Sequence, residues 1–160
     1  MAAAAAAAVA CNEDPCANVR HPPCGDETHE TQATAETVSS DDGTAIATTN
    51  SIDPDGGAHW YTYEASADFL ENIDPEVYLK TQLPAKVCAY SDCGFSACPP
   101  GSSGSDVAPG GQLGCCAEGT DLHFQIMGCS QSTATVWMSV EPIDPVACDQ
   151  CVAYELDYNW

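Results

Sequence analysis

Val152, Tyr154, Leu156 and Tyr158 alternate with Ala153, Glu155 and Asp157. Successive side chains of a strand point to opposite faces, so this spacing puts the apolar residues inside and the acids outside. The same period recurs in Leu122, Phe124 and Ile126, with His123 and Gln125 opposite, and again in Val136, Met138 and Val140. Upstream, residues 44–50, the aromatic 58–65, and 76–83 with 86–90 read as further strands, the last two split by Pro84. Residues 53–57 (DPDGG) have turn composition, and 66–73 read as a short helical turn or an edge strand. Two half-polar sheets must bury their apolar faces together, so about seven short strands imply an all-β sandwich. No repeat of solenoid or propeller length is visible.

Eleven cysteines constrain the chain next. Only Cys148 and Cys151 have the two-residue spacing that zinc sites favour, without a second such pair. Their CDQC precedes a terminal strand rather than opening a helix, which argues against thioredoxin-type chemistry. Disulfides fit the pattern better and imply an oxidising compartment. Residues 91–119, rich in Gly, Ser and Pro, read as a long loop, and cross-links limit the freedom its unfolded state has to lose. The adjacent Cys115 and Cys116 point to opposite faces, so one bridge is expected on each side. Local closure at Cys148–Cys151 or Cys88–Cys93 is expected, with Cys116 reaching Cys129. Cys16 and Cys24 are spaced to close a small loop, and Cys93, Cys98 and Cys115 join the disulfide set.

The charge balance excludes whole classes of partner. Three basic residues, Arg20, Lys80 and Lys86, stand against 24 acidic ones, for a net charge of −21. Nucleic-acid binding needs cations to displace phosphate counterions, and an anionic membrane surface needs a basic patch. The acidity suits cation binding or a solvated surface; the scattering of the acids favours the surface.

The chain opens MAAAAAAAVAC, too short an apolar run for a transmembrane span. Residues 1–10 read as a truncated signal or lipoprotein leader, or as an Ala-rich start, and Cys11 is the lipidation candidate. Ala8 stands where such cleavage boxes usually carry Leu. Lipidation of Cys11 leaves ten cysteines of the eleven, an even number. Residues 11–43 form a polar extension containing Cys and Pro, and 44–160 the β-sandwich domain.

The stretch NSIDPDGGAHWYTYEA resembles the segment of bacterial pre-peptidase C-terminal domains in which a turn leads into an aromatic strand. ATVWMSVEP followed by CVAYELDY is similar to that family's closing strands, and VCAYSDC…C…GCC…C resembles a cysteine-rich variant from secreted bacterial proteins. The resemblance covers about 44–160 at the level of pattern. It implies a jelly-roll-like antiparallel β-sandwich of about seven to eight strands, here with a long disulfide-stapled loop, secreted and non-catalytic. Some members bind calcium, and some bind collagen or polysaccharide. The family's calcium aspartates flank the aromatic strand; the matching positions here are Gly57 and His59, with Asp53 and Asp55 nearby but shifted.

Asp53 and Asp55 open an oxygen-ligand pattern, to which Asp26, Glu27 and Glu30 of the extension could add carboxylates. The position twelve residues into an EF-hand loop falls on Glu64, but Trp60 and Tyr61 do not suit such a loop. Trp60, Tyr61 and Trp137 are the ligand-stacking candidates; the alternative for them, and for Tyr63 and Trp160, is core packing. His59 and His123 are expected on the polar side of their strands. No G-x-S-x-G is present, and no basic clamp for phosphate. The sequence therefore leads to a non-catalytic, disulfide-stabilised extracellular or cell-surface module with a structural or accessory role. It needs no cofactor, calcium being the one ion in view. The alternatives are a calcium-dependent polysaccharide- or protein-binding module and a secreted hydrolase. Localisation is expected to be extracellular or in the outer cell envelope, with a lipid anchor on Cys11 in the second case.

Overall fold

The computed structural model describes residues 29–39, 46–52, 57–67, 72–93, 98–102, 104–127, 129–143 and 151–159. Eight strands occur among them: β1 (Glu36–Thr37), β2 (Ile46–Ile52), β3 (His59–Ser66), β4 (Glu76–Ser91), β5 (Gly104–Val107), β6 (Leu113–Gln125), β7 (Thr133–Pro142) and β8 (Val152–Asn159). The chain is all-β, as its alternation requires. No helix among the described residues is long and apolar enough to cross a membrane.

Two long strands organise the rest. β4 and β6 pair along their whole length, and each takes part in two layers. In the first layer the order is β1-β3-β7-β4-β6-β5, using Ala85–Ser91 of β4 and Leu113–Gly119 of β6. In the second, Glu76–Thr81 of β4 pairs with β8, which pairs with β2, while Asp121–Gln125 of β6 flanks the other side. One sheet thus curls over itself into a sandwich. β3 of the first layer faces β8 of the second: Tyr63 stacks on Tyr158 with ring centroids 5.1 Å apart. Every pairing is antiparallel except β1 with β3.

The corner is built where the register shifts between Lys80 and Ala85. The expected break at Pro84 is therefore a bend inside one continuous strand. Proline lacks the N–H a ladder needs, and an irregularity is where a strand tolerates it. The Thr81 hydroxyl stitches the bend through the backbone of Leu83. Opposite, Gly119 pairs with Ala85 at φ +153°, a backbone conformation that favours glycine.

The core between the layers follows the period-two reading. Val152, Tyr154, Leu156 and Tyr158 are buried, as are Val136, Met138, Val140, Phe124 and Ile126. Leu122 is partly buried against the same cluster. A second buried cluster lies on the outer face of the first layer and comprises Trp60, Cys88, Tyr90, Ala108 and Cys116. Ala35, Ala58 and Trp137 pack against it. Glu36 and Thr37 add β1 to the sheet beside β3, so pairing starts ahead of residue 44.

The stretch 91–119 is not the loop its composition suggests. It contains β5 and the first half of β6. Gly114, Cys115, Cys116 and Ala117 are small, so this buried strand shows no alternation of large apolar and polar side chains.

Cys115 and Cys116 do send bridges to opposite faces: Cys115 to Cys98 and Cys116 to Cys88. A third bridge joins Cys93 to Cys129, and Cys151 is also disulfide-bonded. Two expected pairings are overturned, Cys88–Cys93 and Cys116–Cys129. Cys88 and Cys116 are register partners across β4 and β6, with Cα atoms 4.0 Å apart, so their side chains meet on the outer face. Cys93 lies beyond the end of β4, next to the point where Cys129 bridges Ile73. Cys11, Cys16, Cys24 and Cys148 lie outside the described residues.

Candidate functional site: an aromatic pocket on the outer face

β3 presents Tyr61, Tyr63 and Ala65 to the core, so Trp60 and Thr62 fall on the other side. β7 alternates likewise: Val136, Met138 and Val140 point inward, and Trp137 and Ser139 outward. On that outer face Trp60 stacks on Tyr90 across the small Ser139, with centroids 5.5 Å apart. Tyr90 can lie flat there because its register partner is Gly114. Trp137 is the opposite neighbour of Tyr90 on β7.

Trp60 and Trp137 form part of a cavity of about 610 Å³. Glu30, Thr31, Gln32 and Ala33 of one segment and Pro109, Gly110 and Gln112 of another line it. Thr31 and Thr34 cap the short 3-10 turn Gln32–Thr34 through a reciprocal capping box, which holds the first segment in place. The Gln32 amide donates to the Gln112 side-chain oxygen at 2.8 Å, and the Gly110 N–H donates to the Gln32 side-chain oxygen at 2.6 Å. The two segments are thus tied together.

Next to the pocket lies a charged group. Asp106 lies 3.4 Å from both the Lys86 ammonium and the Tyr90 hydroxyl, and Lys86 also meets Glu141 at 3.0 Å. The Val107 backbone N–H holds the Asp106 carboxyl below its ordinary range; burial opposes it and Lys86 assists. Burial, then the Asp106 charge, push the Tyr90 phenol up to about 12. The ligand atoms of Cys88, Asp106 and Cys116 lie within 4.8 Å of one another. The two sulfurs are bonded to each other, so in this oxidised form they are not thiolate ligands.

The stacking candidates separate. Trp60 and Trp137 meet at the pocket, whereas Tyr61 belongs to the core. The Tyr61 hydroxyl lies 2.5 Å from that of Tyr154 and accepts from Asn50 at 3.3 Å. His59, expected on a polar face, is buried beside it, its Nδ1 3.1 Å from the Tyr154 hydroxyl. His123 is exposed and pairs with Glu76 at 2.7 Å, its ring stacked on Tyr78. Of the carboxylates considered for calcium, Glu30 lies at the pocket; Asp53, Asp55, Asp26 and Glu27 lie outside the described residues, as does Trp160. Gln32 and Gln112 were not foreseen. They sit in polar, Gly- and Thr-rich stretches, and nothing in the sequence says that these two distant glutamines meet.

Compared with known proteins, the chain matches no family model, no curated protein and no solved structure. The fold and site define a disulfide-stapled β-sandwich module with an aromatic pocket, and the disulfides indicate an oxidising environment.

Proposed function

We propose that the chain is a non-catalytic extracellular or cell-surface module with an accessory role, held together by its disulfides. One observation carries this reading: bridges leave both faces of a single strand, β6, through Cys115 and Cys116. A chain kept in a reducing compartment would gain nothing from that arrangement. The net charge of −21 supports it, because a strongly acidic surface stays solvated and resists association. The resemblance to pre-peptidase C-terminal domains agrees with it.

The test is alkylation of the native protein before and after reduction, read by peptide mass. Cys88, Cys93, Cys98, Cys115, Cys116, Cys129 and Cys151 are expected to be protected until reduction. Ready alkylation of the pairs on β6 without reductant would defeat the reading.

A further inference from the structure

We propose that the pocket at Trp60 and Trp137 binds a small quaternary-ammonium cation, with Glu30 as its counter-charge. The proposal deepens the accessory-module reading and rests on it, since the ligand would be taken from the surrounding medium. Three observations support this choice of ligand.

The first is the lining. Two indoles, Pro109 and Ala33 make the cavity largely apolar, and Glu30 is the single titratable residue among the described residues that line it. Glu30 has no ion-pair or hydrogen-bond partner among the described residues. The amides of Gln32 and Gln112 are engaged with each other and with Gly110. The second is charge. Lys86, on the same outer face as Cys88 and Tyr90, is already held by Asp106 and Glu141. A net charge of −21 raises the local concentration of cations and repels anions. The third is size: about 610 Å³ lies within the range of small-molecule sites.

These features select among cations. A calcium ion needs six or more oxygen ligands, and among the described residues the lining offers one carboxylate. A primary ammonium carries three N–H donors and a tight hydration shell, and among the described lining residues Glu30 is the one charged acceptor, the Gln32 oxygen being taken by Gly110 and the Gln112 oxygen by Gln32. A quaternary ammonium has no N–H to satisfy. Its methyl groups suit apolar walls, and its charge suits an indole face and a carboxylate.

The test is titration of the oxidised, folded protein with choline chloride, followed by tryptophan fluorescence and calorimetry. The neutral isostere 3,3-dimethylbutan-1-ol and a neutral disaccharide serve as comparisons. Saturable choline binding is expected, weakening with salt, and at least about tenfold tighter than binding of the isostere. Glu30→Gln, at an exposed position, and Trp137→Ala are each expected to weaken it severalfold. Circular dichroism checks that Trp137→Ala is folded. No choline binding by folded, disulfide-intact protein overturns the proposal. So does equal affinity for the isostere, or disaccharide binding in place of choline. None of these results touches the alkylation test, so failure of this inference and failure of the module reading are distinguishable.

Discussion

A Cβ placed on Gly114 would lie 2.1 Å from a Tyr90 ring carbon and 2.5 Å from the Ala89 carbonyl oxygen. One of those neighbours is backbone, so side-chain adjustment alone cannot make room. Gly114→Ala is expected to destabilise the fold by about 1–3 kcal/mol and to lift Tyr90 off Trp60. Chemical denaturation measures the first effect, and the tryptophan emission spectrum the second. The buried group His59, Tyr61 and Tyr154 makes a different demand. Tyr154→Phe removes a buried hydroxyl that meets both the Tyr61 hydroxyl and the His59 ring, and should cost about 1–3 kcal/mol by the same assay, whereas loss of an exposed hydroxyl would cost far less. Glu76 adds a pH effect. Burial alone would raise its pKa, but hydrogen bonds from Tyr78, His123 and Asn159 outweigh it, and the folded value lies below the ordinary 4.5. Its contribution is therefore present above the unfolded value and disappears as pH falls through the folded one. The stability difference between wild type and Glu76→Gln should accordingly shrink on acidification below 4.5. A difference independent of pH would contradict that assignment. At this scale the sequence was only half legible. The alternation in β3 separates Trp60 from Tyr61, but which parity faces the core depends on the layer that covers it.

Among the elements, β4 and β6 were the least legible. Pro84 looks like the end of a strand, yet the strand continues through it, because two layers share one ladder and a bend is needed between them. The first half of β6 was hidden by its small residues. Its identity as a strand comes from pairing with β4 and β5, not from its own periodicity. The cysteines belong to the same scale. Cys93–Cys129 closes a separation of 36 residues, longer than 28 for Cys88–Cys116 or 17 for Cys98–Cys115. Chain-entropy arguments make its removal by paired Cys→Ala substitution cost about 3–4 kcal/mol. It also ties the end of β4 to the isolated Ile73–Cys129 bridge, where fewer backbone pairings are present among the described residues. Its loss should therefore lower the melting temperature more than loss of Cys98–Cys115, which joins a strand already held on both sides. Equal shifts would show that loop length and local pairing do not govern these bridges.

At the scale of the whole molecule, all six tyrosines have raised phenol pKa values. Burial is the first cause for every one except Tyr78, where the hydrogen bond to Glu76 leads. A raised folded value means that the native state holds its protons longer than the unfolded chain does. Stability is then complete below the ordinary value of 10.0 and declines as pH climbs through the folded values, about 12 for Tyr90 and Tyr158. Absorbance titration should show native phenols ionising above 10.0, Tyr90 and Tyr158 at about 12, and returning to 10.0 on unfolding. Native phenols titrating reversibly at the ordinary value would refute this account of the core. By itself the sequence determined the all-β class, the inward residues of β7 and β8, the acidic surface and the opposed directions of Cys115 and Cys116. Each of these follows from the two-residue period of a strand or from a count of charges, which are local properties. Only the tertiary structure decided the disulfide partners, the bend shared by β4 and β6, and the meeting of Glu30, Gln32 and Gln112 with Trp60 and Trp137. Those depend on register and on the covering of one face by distant chain, and neither is written in the spacing of neighbouring residues.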